Sequence, residues 1–240
     1  MEKILVTPRS LTKKRHPAFS LFEDAGLSVV TCTPGVMPGE DELLSLLPGC
    51  IGYLAGVEKI TARLLEAAPG LQVISRNGAG MENVDIEAAK RLGIKVFPTA
   101  GANARGVAEL TTGLMIGLLR SIPFSSGALK AERWERREGM ELEGKCLGII
   151  GCGEVGRLVA GMAGALGMRV LGYDLYPNMA FCLDSFEWAD TEQIFRQADI
   201  ITLHVPGGEK PLIDREALKA MKEGVYIINT ARASVVDEEA

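Results

Sequence analysis

Short β-branched runs recur through the first hundred residues, at 4–6, 29–33, 51–54, 73–75 and 94–97, each with the length and makeup of a buried strand. Between them apolar residues return at helical spacing over 17–25, 40–47, 61–68 and 84–92, and Gly26, Pro48, Pro69 and Gly93 punctuate the ends. Strand and helix in alternation predict a parallel sheet with crossover helices. A long apolar helix is expected over 105–120, followed by a polar stretch holding Trp134 and the charged run 132–138. The alternation then resumes, with strands at 147–150, 169–173, 200–205 and 225–229 and helices at 155–166, 191–197 and 215–221. Two α/β domains follow, 1–100 and 101–240, the boundary falling near Gly101. No repeat of solenoid period and no low-complexity linker interrupts them.

Composition narrows the class. Apolar residues make up 47%, charged residues 24% and aromatics 5% of the 240 positions, the balance of an aliphatic α/β protein. A net charge of −5 without a basic stripe gives no electrostatic reason to expect nucleic acid or an anionic membrane as partner. Cys32, Cys50, Cys146, Cys152 and Cys182 form no C-x-x-C pair and, with only His16 and His204 beside them, give no zinc spacing. They are expected to be buried thiols in a reducing compartment. No basic leader precedes the first strand, so a cytoplasmic location is expected. The apolar stretch 107–119 is too short to span a bilayer and is expected to be a buried helix.

The chemistry centres on Gly151-Cys152-Gly153-Glu154-Val155-Gly156. Such spacing alone is a weak signal, but here a strand runs straight into Gly151 and a helix opens at Glu154-Val155. A second strand ends at Asp174, about 18 residues past the third glycine. Gly151 permits the turn, Gly153 lets a pyrophosphate approach the backbone, and Gly156 allows close helix–sheet packing. The helix N-terminus supplies free N–H groups. Asp174 would accept the ribose hydroxyls of NAD and repel the extra phosphate of NADP; the bland alternative is an acid that only begins a turn before Pro177.

Several further blocks, taken together, resemble the D-isomer-specific 2-hydroxyacid dehydrogenases over essentially the whole chain. They are Arg76-Asn77-Gly78-Ala79-Gly80-Met81-Glu82-Asn83-Val84-Asp85, Gly101-Ala102-Asn103-Ala104 leading into Val107-Ala108-Glu109, Trp134 with Glu141-Leu142 and Gly144-Lys145, Leu203-His204-Val205-Pro206, Asn229-Thr230-Ala231-Arg232, and Val236-Asp237-Glu238. Within that family the Arg76-Asn77-Gly78 turn and the stretch 101–109 are most similar to phosphoglycerate dehydrogenases. The resemblance implies a flavodoxin-like substrate domain and a Rossmann NAD-binding domain with a cleft between them. The implied reaction is hydride transfer between NAD(H) and a D-2-hydroxy or 2-keto acid, with 3-phosphoglycerate and 3-phosphohydroxypyruvate one candidate pair.

A carbonyl that gains hydride develops negative charge, so the site needs a cation and a proton donor. By resemblance Arg232 is the catalytic cation, and its planar fork suits a carboxylate; its bland alternative is a surface ion pair with Asp237 or Glu238. Arg76, Gly78, Ala79, Gly80 and Asn103 are the implied substrate-binding residues. Thr230, Ala231 and Arg232 join Gly151, Gly153, Glu154, Val155, Gly156 and Asp174 on the cofactor side, as do His204, Val205 and Pro206, with His204 a pocket residue or simply a structural histidine. The cluster Lys13-Lys14-Arg15-His16 could meet a substrate phosphate, but a solvated charge run is the stronger expectation.

The family's acid/base histidine and its paired glutamate have no counterpart among these residues. The resemblance therefore leads to the expectation of a C-terminally incomplete dehydrogenase. Both domains would lack their last segments, an apolar edge would be exposed at 225–228, and turnover would be little or none. A homodimer through the 105–120 helix and the Trp134 arm is expected. The alternative from another class is a non-catalytic NAD-sensing, corepressor-like protein. A third, an alanine-dehydrogenase type of Rossmann enzyme, is opposed by Asn229-Thr230-Ala231-Arg232.

Overall fold

A computed structural model describes residues 1–240, which divide into two compact units, Met1–Ala102 and Asn103–Ala240. In the first unit the chain runs β1 (Lys3–Val6), α1 (Arg9–Thr12), α2 (Phe19–Asp24), β2 (Ser28–Thr31), α3 (Glu40–Leu46), β3 (Cys50–Ala55), α4 (Ala62–Glu66), β4 (Val73–Arg76), α5 (Ile86–Arg91) and β5 (Lys95–Pro98). All its strand pairs are parallel, in the order β2-β1-β3-β4-β5, the flavodoxin-like arrangement. One aliphatic cluster holds it, with Leu5, Tyr53 and Ile74 of the sheet packed among Leu43, Leu47, Leu64 and Leu65. Thr61 and Asp85 cap α4 and α5 by accepting N–H bonds from Leu64 and Ala88, each worth about 1 kcal/mol.

The second unit comprises α6 (Ala104–Leu119), α7 (Ile122–Lys130), β6 (Cys146–Ile150), α8 (Glu154–Ala165), β7 (Arg169–Tyr173), β8 (Phe186–Trp188), α9 (Thr191–Gln197), β9 (Ile200–Leu203), α10 (Arg215–Ala220) and β10 (Tyr226–Asn229), with a 3-10 turn at Ala233–Val235. Its parallel sheet has the order β10-β9-β6-β7-β8, which is the doubly wound order of a Rossmann unit read from its edge. Leu147 and Ile149 of β6 pack on one face with Met115, Leu119, Val159 and Ala163. Ile150, Ile201 and Leu203 pack on the other with Ile194, Phe195 and Ala217. Residues buried on both faces explain why these strands read as continuous apolar runs.

Four features differ from the sequence reading. α7 occupies part of the stretch expected to be irregular, entered through Ser121 at φ 50°. β8 adds an edge strand beside β7. Cys182 is exposed, unlike the other four thiols, because it lies in the irregular connection between β7 and β8. β10 is indeed the outermost strand of its sheet, but its side chains are not a bare apolar edge: Ile228 is buried among the α6 and α8 residues, Tyr226 packs on that same cluster and Ile227 on the opposite one. Only the strand's hydrogen-bonding edge is open. No single helix is long and apolar enough to cross a membrane.

Candidate functional site

In the second unit the order of the strands reverses at β6, whose neighbours are β7 on one side and β9 on the other, and ligands of open α/β sheets sit at the carboxyl ends of strands at such a point. The loop leaving β6 begins at Gly151, with φ 100°; a Cβ there would stand 2.5 Å from the His204 carbonyl oxygen at the end of β9. On Gly156, in the first turn of α8, a Cβ would lie 2.1 Å from the Gly151 carbonyl oxygen. Both glycines are thus demanded by backbone meeting backbone. Gly153 is different, since nothing lies within 4 Å of the Cβ it lacks. It is the N-cap of α8 and carries no side-chain cap, and the N–H groups of Glu154, Val155 and Gly156 have no acceptor within the chain. Bare, outward-facing amides at the positive end of a twelve-residue helix fit a pyrophosphate.

Asp174 follows β7 and is fixed by its own neighbours: Cys152 N–H donates to Oδ2 at 2.8 Å and Tyr176 N–H to Oδ1 at 2.9 Å. The second bond is a turn closure, so the acid does begin a turn, while the first holds it against the glycine loop. A cavity of about 480 Å³ opens here, lined among others by Gly151, Gly153, Asp174, His204, Val205 and Pro206. Leu175, Tyr176, Lys210 and Leu212 also line it and were missed from sequence. Only the apolar pair directly after Asp174 could have signalled them.

His204 is tied by both ring nitrogens, Nε2 to the Thr202 hydroxyl at 3.1 Å and Nδ1 to Thr230 at 3.3 Å, and Thr230 in turn meets Thr111 at 3.0 Å. Burial pushes its pKa down to about 4, so the ring is neutral at pH 7. Burial, and then the Asp174 charge, push the Cys152 thiol up to about 12, which makes it an inert filler. Arg232 is exposed just past β10. Asn229 shapes its turn by donating to the Arg232 carbonyl at 2.8 Å and accepting from Ala231 N–H at 2.9 Å.

In the first unit the turn after β4 is built around Arg76. Arg76 is only 8% exposed. Its Nε donates to Asn83 Oδ1 at 2.9 Å and its Nη1 to the Asn77 carbonyl at 2.7 Å. The guanidinium fills the space beneath Gly78, whose missing Cβ would touch Nη1 at 2.7 Å. Arg76 thus braces the turn from beneath, because burial makes its N–H groups seek acceptors inside the chain. Gly78 N–H is spent on Thr99 Oγ1 at 2.9 Å, whereas the N–H groups of Ala79 and Gly80 have no acceptor within the chain. Asn103 is exposed at the N-cap of α6 and makes no side-chain cap. The basic cluster is solvent-facing, with Arg15 paired to Glu23.

A doubly wound sheet with this loop, acid and cavity defines a dinucleotide-binding protein. Residues 112–240 match the NAD binding domain of the D-isomer specific 2-hydroxyacid dehydrogenases. The chain is 41% identical over 206 residues to the hydroxypyruvate reductase of Thermotoga maritima, covering 84% of this chain and 67% of that one. It is 41% identical to the D-3-phosphoglycerate dehydrogenase of Methanocaldococcus jannaschii, covering 100% of this chain and 46% of that one. Among solved structures, the TT0316 protein of Thermus thermophilus superposes with a TM-score of 0.88 at 31% identity over 99% of this chain and 76% of its own. The NAD+-bound 3-phosphoglycerate dehydrogenase of Entamoeba histolytica gives 0.79 at 30%, over 99% and 74%. The chain belongs to the D-isomer-specific 2-hydroxyacid dehydrogenase family, with NAD as its cofactor. It spans about two thirds of the hydroxypyruvate reductase and less than half of the D-3-phosphoglycerate dehydrogenases.

Proposed function

We propose that the protein acts as an NAD-dependent 2-hydroxyacid dehydrogenase on a small acid of the glycerate or phosphoglycerate type, interconverting the hydroxyl and keto forms at C2. The observation that carries this is the unsatisfied amide pair of Ala79 and Gly80, a cradle for a carboxylate, in a chain that also presents a complete dinucleotide loop. Bound NAD supplies the hydride acceptor or donor at its nicotinamide ring. The free amides of α8 hold its pyrophosphate, and Asp174 takes the ribose hydroxyls. Val205 and Pro206 form the pocket wall. Thr230 and Ala231 set the path of the chain toward Arg232, whose charge polarises the keto oxygen and steadies the negative charge that develops on it. Asn103 contributes an amide to the substrate.

Neither histidine of the chain suits the proton transfer. His204 is held neutral in the cofactor pocket, and His16 is exposed with Nδ1 accepting the Ala18 N–H. We therefore expect these 240 residues to bind NADH and turn over slowly or not at all. The same feature favours a second reading, a non-catalytic NAD-binding protein. A homodimer belongs to the proposal as well: Leu110, Leu114 and Leu118 leave an exposed apolar stripe along α6, continued by Ile122 and Leu129 of α7, the sort of patch a second copy covers.

NADH fluorescence titration followed by addition of 2-keto acids tests the main reading. Saturable NADH binding, with a further change on adding hydroxypyruvate, is expected; absence of NADH binding would overturn it. Partner capture with NADH bound and no turnover by the longest natural form of the protein would favour the second reading.

A further inference from the structure

The first unit has its own switch point. β1 pairs with β2 on one side and with β3 on the other, so the loops leaving β1 and β3 diverge and leave a crevice at their carboxyl ends. A cavity of about 260 Å³ lies there, lined by Pro8, Arg9 and Ser10 after β1, by Gly56, Val57 and Glu58 after β3, by Asn77 after β4 and by Met37. Asn77, on the cavity wall, opens the turn that carries the Ala79 and Gly80 amides two and three residues on. The cavity's volume suits a three-carbon acid.

Glu58 is the unusual member. It is a carboxylate only 3% exposed. Its Oε1 accepts from the Thr7 hydroxyl, from Tyr53 Oη at 2.7 Å and from Gly56 N–H at 2.8 Å. Thr7 follows β1 and Gly56 follows β3, so this one oxygen fastens the two lips of the crevice together. The other oxygen, Oε2, has no hydrogen-bond partner in the chain. It lies 2.6 Å from the place a Cβ on Gly56 would occupy, and only glycine leaves that room. Oε2 is not sealed from water, since Trp188 Nε1 is the one buried side-chain polar atom left without a partner; it is open to the cavity that Glu58 lines, where a ligand can donate to it.

The remaining polar groups of the cavity are donors or both donor and acceptor: the hydroxyl of Ser10, the amide of Asn77 and the exposed Arg9, none bonded by its side chain within the protein. A phosphate dianion has no proton to offer Oε2 and would be repelled by it. A single exposed arginine, screened by water, is a weak counterweight to a buried negative charge. A neutral hydroxyl fits both demands, since it donates to Oε2 and accepts from Ser10 or Asn77.

We propose that Glu58 is a specificity-determining residue, and that the crevice between the β1 and β3 loops receives the free C3 hydroxyl of a glycerate-type substrate and rejects its phosphorylated counterpart. This rests on the Ala79–Gly80 cradle as the carboxylate site. Discrimination rests on the hydroxyl that can donate to Oε2 and on the repulsion that a phosphate meets beside the Glu58 carboxylate.

Calorimetric titration of the whole chain, saturated with NADH, by D-glycerate, D-lactate and 3-phospho-D-glycerate tests it. D-glycerate should bind at least tenfold tighter than either of the others. Glu58→Gln should turn the cavity-facing atom into a donor and reduce the ratio of D-glycerate to 3-phosphoglycerate affinity at least tenfold. Ser10→Ala, at an exposed position where folding is not at stake, should reduce the ratio of D-glycerate to D-lactate affinity severalfold even if the Glu58 variant fails to fold. Preference for 3-phosphoglycerate in the unsubstituted chain, or ratios unmoved by the substitutions, would overturn the assignment of Glu58 while leaving the cradle intact. Absence of saturable binding by all three acids would overturn the cradle, and the pocket with it.

Discussion

The carboxylate of Asp174 accepts the backbone N–H of Cys152 at 2.8 Å, so the acid proposed to take the ribose also fastens the glycine loop to the end of β7. Asp174→Ala removes the acceptor for two amides and the charge proposed to face the nucleotide. Bonds to charged groups contribute about 1.5–3 kcal/mol each when truncated in buried settings, and the partly exposed position reduces that to about 1–2 kcal/mol in all. NADH affinity should fall about tenfold or more. Asp174→Asn keeps one of the two acceptors and removes the charge; it should lose less stability than Asp174→Ala and gain affinity for NADPH relative to NADH. Parallel NADH and NADPH titrations with a thermal melt read both effects.

Gly153 and Gly156 separate folding from binding. A methyl group on Gly156 meets the Gly151 carbonyl oxygen at 2.1 Å, where only backbone could yield, so Gly156→Ala should cost several kcal/mol or prevent folding. On Gly153 it meets nothing within 4 Å, so Gly153→Ala should fold with nearly unchanged Tm and yet bind NADH far more weakly. Equal losses of Tm in the two variants would contradict the division.

Arg76 and Asn83 make a comparable case in the first unit. Arg76→Leu strips the guanidinium from beneath Gly78 and leaves Asn83 Oδ1 and the Asn77 carbonyl short of donors, which should lower stability by about 2–3 kcal/mol. Arg76→Lys restores the charge but cannot reach both acceptors with a planar fork, so it should rescue only part of the loss. Substrate-acid binding should weaken in both variants while NADH affinity stays near its original value. Urea unfolding with separate ligand titrations would show this pattern or refute it.

Local signals made most of the architecture legible in the sequence. Strands buried on both faces leave unbroken apolar runs, and Gly26, Pro69 and Gly93 stop the helices between them. α7 escaped notice because Ser121, Pro123 and Gly127 each speak against a helix in isolation, though proline is tolerated in a first turn. β8 is a three-residue edge strand, too short for any periodicity. On the cofactor side the glycine spacing is itself the chemistry, so the loop and Asp174 could be located from sequence. Arg76 and Glu58 could not be assigned that way. Arg76 is defined by Asn83 and by the empty space over Gly78, and Glu58 by a hydroxyl 51 residues away in Thr7. No local pattern encodes such contacts.

The neutral imidazole of His204 gives the chain a pH dependence of defined sign. Its folded pKa is pushed down to about 4 from an ordinary 6.5 by burial, so between those values the unfolded chain takes up a proton that the folded chain refuses. Stability from this residue is fully present above about pH 6.5 and is lost progressively as pH falls toward 4, below which the loss levels off. His204→Gln has no titrating ring and can still bond Thr202 or Thr230, so its stability should change less than the unsubstituted chain's between pH 7 and pH 4.5. The Thr111–Thr230 contact should survive, keeping the variant folded for the comparison. NADH binding should follow the same trend, because a charged ring could enter the pocket only by breaking its packing. Urea midpoints of both proteins at the two pH values measure the difference, and parallel pH profiles for the two would remove His204 as the cause.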